Sequence, residues 1–285
     1  MSNLVPLKSG YYVWKYVPSI VAAVIFLILF SSVTVYHYWK MWRSRIRFTL
    51  PFAIGGIFEI IGYGARIGSH NDTGKLMPYC IQAVFILLGP ALFAASVYMI
   101  LGRIIRSVRA ECHSVLPIAW LTKTFVLCDI LTFIIQAGGS GMMVNSDQPN
   151  IGEDIVIAGL AIQVASFCLF LLTAIVFHTR MRSDPTPASR DPSHPWQQHL
   201  GSLYAISGLI LLRSIFRVVE YVMGNDGYPL THEWTLYLFD ALPMFASMVI
   251  FAVWYPSDLK PFIRALDYPG DEDRVGEIAL PDQKA

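Results

Sequence analysis

Seven apolar stretches follow one another along the chain, at 16–39, 48–67, 77–101, 116–138, 155–178, 200–222 and 234–255, with short polar segments between them. Crossing a bilayer core takes roughly 20 predominantly apolar residues, and every stretch meets that length. A chain inside lipid must satisfy its own backbone donors and acceptors, so each stretch is predicted to be a helix. The expectation is an all-α integral membrane protein: a seven-transmembrane helix bundle over 16–255, preceded by a segment 1–15 and followed by a tail 256–285. The first stretch is too long for the apolar core of a cleavable signal and has no convincing basic n-region before it, only Lys8 and Lys15, so it reads as a retained helix.

The polar segments differ in charge, and the difference orients the bundle. Lys40, Arg43, Arg45 and Arg47 follow the first stretch, Arg103, Arg106 and Arg109 the third, and Arg180, Arg182 and Arg190 the fifth. The alternate loops hold only Lys75. Basic loops stay cytosolic, which predicts the N-terminus outside and the C-terminus in the cytosol. Asn71-Asp72-Thr73 then forms a glycosylation acceptor in an outer loop. The segment 179–199 is rich in Pro, Ser and Asp and reads as a flexible cytosolic connector, while the tail turns acidic from Asp267 to Glu277 and reads as a solvated end. Trp39, Trp42, Trp234 and Trp254 stand where interfacial belts form, and Lys123 is placed to snorkel to headgroups.

Ionisable residues also lie deep within the stretches. At helical spacing of i, i+4 and i+7, Glu59, Tyr63 and Arg66 share one face of the second helix, and Arg213, Arg217 and Glu220 share one face of the sixth. At 1.5 Å per residue Glu59 is about 16 Å from the cytosolic end of its helix. An ionised group at the bilayer centre costs about 2.5 to 3.5 kcal/mol on insertion scales, so these groups must meet inside the bundle. Glu59, Asp129, Glu220 and Asp240 come close to balancing Arg66, Arg213 and Arg217, with Gln82, Gln136 and Gln163 available to complete hydrogen bonds. The expected object is an ion-pair network around an outward-opening cavity that binds or translocates a substrate, with a network that only fixes helix packing and register as the alternative. Pro90, after Gly89, and Pro243, beside Asp240, are expected to interrupt their helices and free carbonyls there.

Composition removes several alternatives. With 55% hydrophobic and 14% charged residues and a mean hydropathy of +0.51, membrane lipids are the main surroundings of this chain. A net charge of +1 carries no sign of a nucleic-acid partner. The four cysteines show neither CxxC nor metal-ligand spacing, and the histidines are scattered, so no metal site and no cofactor is expected. A P-loop and a GxSxG motif are both missing, which argues against an enzyme. Oligomeric state leaves no mark on the pattern.

Several short motifs together resemble one family. They are Tyr16-Val17-Pro18-Ser19, Glu59-Ile60-Ile61-Gly62-Tyr63 with Arg66, Gln82, the run from Gly89-Pro90 to Val97-Tyr98, and Leu101-Gly102-Arg103. Asp129 with Gln136, Gly138 and Gly139 follows, then Gly159 with Gln163, then Arg213, Arg217, Glu220 and Tyr221, and last Glu233, Asp240, Pro243 and Met244. In these the chain resembles the fungal lipid-translocating exporters, the RTA-like seven-transmembrane proteins. It departs from their pattern at Phe216, where Tyr is expected, and at Tyr255-Pro256-Ser257, where His-Pro-Gly is expected.

The resemblance implies a plasma-membrane protein that exports amphiphilic lipids such as sphingoid bases and sterol-like compounds, or toxic small molecules, and so confers resistance. The rival expectation is a seven-helix lipid-sensing receptor or a stress-response membrane protein without net transport, since topology alone does not decide function. Against it, Leu101-Gly102-Arg103 stands where a receptor would carry a DRY-like sequence, and no NPxxY occurs.

Overall fold

The computed structural model describes residues 18–70, 76–145, 149–190, 195–224 and 227–256. Among them are seven helices long and apolar enough to cross a membrane. They are α1 (Ile20–Ser44), α2 (Leu50–Ser69), α3 (Leu76–Ser107), α4 (Ile118–Asn145), α5 (Pro149–Ser183) and α6 (Trp196–Val222), then α7 (Glu233–Val253). The described residues contain no strand.

Number and order match the apolar pattern, but the ends do not. Helices α3, α4 and α5 run past their apolar stretches, because hydropathy marks only the part suited to lipid and a helix continues until something stops it. At the end of α5 the stop is Pro185, which disfavours helical geometry in the residue before it. At the end of α1 it is Arg45, in the left-handed region at φ 55°, whose N–H closes on the Trp42 carbonyl.

Most of the described residues of the connector 179–199 belong to helices or a turn. Helix α5 occupies its first residues and Pro187–Arg190 form a single tight turn. Thr186 Oγ1 donates to the Val108 carbonyl at 2.7 Å, and Trp196 Nε1 donates to the Ser189 carbonyl at 3.1 Å. His199, expected in that connector, is in α6 and 3% exposed. Hydroxyls and prolines that look like disorder in a composition count serve here as turn and tether groups. Asn71, the segment 1–15 and the tail beyond Pro256 lie outside the described residues.

Within lipid there is no hydrophobic drive between helices, so close packing and hydrogen bonds hold them together. Helix α3 is the central element, with 61% of its apolar window buried against 22% for α1. Glycines let its neighbours approach: a methyl added at Gly62 of α2 would stand 2.5 Å from the Ile86 side chain of α3. Between α4 and α5 the backbones themselves touch, since a methyl on Gly152 would meet the Gly139 carbonyl at 2.6 Å. Nearer the end with the basic loops, Phe52 stacks between Phe93 and Phe251 at centroid distances of 4.5 and 4.0 Å. The outer surface is apolar, with Val21, Ile28 and Val35 of α1 and Ile130, Leu131 and Ile134 of α4 at least half exposed. Trp39, Trp42, Trp234 and Trp254 are exposed there too, as an interfacial belt requires.

Candidate functional site

Pro90 interrupts α3 because it has no N–H to offer the carbonyl four residues earlier, that of Ile86. The vacancy is filled from α6: Arg213 Nη2 donates to the Ile86 carbonyl at 2.7 Å. Arg213 Nε donates to Asp240 Oδ1 of α7. Asp240 lies in a wide turn, Tyr237–Ala241, where the Leu242 N–H reaches five residues back to the Tyr237 carbonyl. Such π-turns recur at functional sites. Arg217, one turn after Arg213, donates through Nη2 to Asp240 Oδ2 and through Nη1 to Glu220 Oε2 at 2.9 Å. One carboxylate thus accepts from two guanidinium groups, and the cluster ties together α3, α6 and α7 where two of them depart from regular helix.

The central members of the cluster are buried. Side-chain exposure is 1% at Asp240 and 4% at Arg213, rising to 16% at Arg217. Bringing a polar headgroup to its centre requires the helices to part.

Glu59 belongs to the same region by charge but not by bonding. It is 1% exposed, and Asp240, Arg213 and Arg217 all act on it electrostatically. Its Oε1 has no hydrogen-bond partner among the described residues. The carboxyl instead lies against the bare backbone of α3, where a methyl on Gly89 would stand 2.6 Å from Oε1. Tyr63, one turn on, is fully buried and stacked on Phe26 and Phe30, and its hydroxyl is also without a partner among the described residues, as is Gln82 Oε1.

The remaining members of the expected network stand apart. Arg66 serves the end of the bundle away from the basic loops: Nη2 donates to Glu233 Oε1 at 2.8 Å and Nε to the Tyr237 hydroxyl at 3.1 Å. Glu233 also accepts the Ser19 N–H at 2.9 Å, so it closes the start of α1 onto α2 and α7. Asp129 of α4 accepts from the Tyr98 hydroxyl of α3 at 3.0 Å and joins no ion pair among the described residues. Gln136 donates to Gln163 at 2.9 Å, linking α4 to α5. The expected single network is therefore four separate groupings: helix α3 stands between the central cluster and the pairs on α4 and α5, while Arg66 lies two turns nearer the end where α7 begins.

Charge and spacing miss three partners. Glu233 stands one residue before the predicted start of the last helix. Tyr98 reads as one more aromatic of an apolar run. The Ile86 carbonyl has no side-chain signal, but counting back from Pro90 finds it.

A sequence profile described as RTA1 like protein matches residues 52–261. Protein RTA1 of Saccharomyces cerevisiae is 35% identical, over 87% of this chain and 86% of its own length. Protoporphyrin uptake protein 1 of the same species is 32% identical, over 86% and 92%. Sphingoid long-chain base transporter RSB1, also from that yeast, is 25% identical over 84% and 72%. No solved structure matches.

Proposed function

This chain belongs to the RTA1-like family, and on that premise we propose that it exports amphiphilic lipids, such as sphingoid bases or sterol-like compounds, or toxic small molecules. Its relatives' names support a transport role in general, one for sphingoid long-chain bases and one for protoporphyrin. The observation that carries the reading is the Arg213–Asp240–Arg217 cluster, sealed at the meeting of a proline-interrupted α3 and a π-turned α7. Buried ionisable groups mark substrate or ion paths by default, and interrupted helices are where transporters place their sites. A headgroup that competes for Asp240 or Arg217 would loosen α6 from α7 and give access from one side. The protein works without enzymatic chemistry in this reading, in the plasma membrane, with the N-terminus outside and the basic loops in the cytosol.

The test is flux of a labelled sphingoid base across liposomes holding the purified protein, wild type against Arg217→Gln. Saturable flux in wild type, reduced about tenfold or more in a folded variant, is the expected result; a tenfold change corresponds to about 1.4 kcal/mol. Saturable binding with no flux in wild type would favour a lipid-sensing receptor.

A further inference from the structure

The charges of the central cluster do not balance. Three carboxyl groups, Glu59, Glu220 and Asp240, stand with two guanidinium groups, Arg213 and Arg217, and the pairing leaves Glu59 out. The arginines bond elsewhere: Arg213 to Asp240 and the Ile86 carbonyl, and Arg217 to Asp240 and Glu220 through its two terminal nitrogens. An uncompensated carboxylate away from water is costly, and a glutamine would fill the same volume without that cost. Backbone geometry nevertheless makes room for it, since a methyl at position 89 would stand 2.6 Å from the carboxyl oxygen as it now lies against α3. That glycine immediately precedes Pro90, where α3 lacks a backbone hydrogen bond of its own.

We propose that Glu59 is a binding position for one monovalent cation, occupied when α2 and α3 part at Gly89–Pro90. The inference rests on the transport reading for its purpose, but the site stands on its own geometry. An ammonium headgroup and a small inorganic ion, sodium or a proton, offer the same chemistry: one positive charge for an acceptor that has no donor. A phosphate or carboxylate headgroup does not fit beside Glu59, because the carboxylate would repel it, although Arg217 Nε is a buried donor without a hydrogen-bond partner among the described residues. The charged groups acting on Glu59 are Asp240 from α7 and Arg213 and Arg217 from α6; Tyr63 shares its own helix face, and α3 approaches it at Gly89.

Binding to the full-length protein in nanodiscs tests this without requiring transport. The probes are a tritiated long-chain primary amine and its neutral N-acetyl derivative, each in sodium chloride and in choline chloride, and at two pH values. Glu59→Gln removes the charge at constant shape, and Glu59→Asp keeps the charge as a check on folding. A preference for the amine of about tenfold or more, abolished in Glu59→Gln and retained in Glu59→Asp, assigns the position to a headgroup. Equal binding of both lipids, with a sodium or proton dependence that Glu59→Gln abolishes, assigns it to an inorganic ion. Wild-type binding indifferent to lipid charge, sodium and pH overturns the proposal. Flux measured on the same preparations separates the two readings, since Glu59-dependent binding without flux would sink transport and leave the cation site standing.

Discussion

Two buried aspartates divide this bundle into unlike halves. Asp240 of α7, 1% exposed, accepts from two guanidinium groups in a stretch where the helix has a π-turn and its neighbour α3 a proline. Asp129 of α4, 6% exposed, accepts from one tyrosine hydroxyl, and its helix is regular throughout. Around that tyrosine the surroundings are rings: Tyr98 meets Phe170 at 4.6 Å and Phe125 at 5.4 Å between centroids. Further along, the α4–α5 contact is glycine against glycine backbone. The α3–α6–α7 half is held by charges that can be exchanged for other charges, whereas the α3–α4–α5 half is held by shape. A transporter needs both, one part that opens and one that serves as frame, and α3 belongs to each.

The largest expected effect comes from removing the charge that anchors the first half. Asp240→Asn leaves Arg213 and Arg217 facing each other with no carboxylate between them. Breaking one side of a buried ion pair costs about 3–5 kcal/mol, enough to deplete the folded population. Thermal or SDS-induced unfolding of the purified variant measures it. A loss under about 1 kcal/mol would mean that the guanidinium groups find other partners, and the contrast with Asp129 would collapse.

A smaller effect isolates the helix break from the ion pair. Arg213→Met removes both the bond to Asp240 and the donor to the Ile86 carbonyl, and a buried acceptor left without a donor costs about 1–3 kcal/mol. Pro90→Ala returns an N–H to α3 that can reach the same carbonyl. In the Pro90→Ala background the Arg213 substitution should therefore cost less, by about 1 kcal/mol, in a double-mutant cycle. Strict additivity would show that Arg213 does not stand in for the missing N–H.

The halves are unequally legible in the sequence. Apolar runs of bilayer length are a strong signal, so the seven helices and their order follow from hydropathy alone. Insertion cost likewise places Glu59, Arg213, Arg217 and Asp240 inside the bundle. Pairing is another matter, because helical spacing says which residues share a face but not which face meets which helix. Arg66 shares the face of Glu59 and still bonds to Glu233, since it lies two turns nearer the end where α7 begins. Charge groups Asp129 with the arginines, yet the central α3 stands between them and offers Tyr98 instead. The closed packing of the cluster leaves no trace in the sequence either, because exposure depends on how the whole bundle seats.

The smallest effect is the sharpest test of the contrast, because it asks whether a buried carboxyl matters at all when nothing charged faces it. At Asp129 an asparagine presents the same oxygen to the Tyr98 hydroxyl, and interhelical hydrogen bonds within membranes average only about 0.6 kcal/mol. Asp129→Asn should therefore cost less than about 1 kcal/mol, where the identical change at Asp240 costs several. Tyr98→Phe should cost more than Asp129→Asn, since it takes away the donor and leaves the acid carboxyl in place among rings. Unfolding titrations of the two single variants and the double variant settle the order. If Asp129→Asn proves as damaging as Asp240→Asn, then Asp129 meets a positive charge in some other arrangement of the helices, and the frame half takes part in the opening after all.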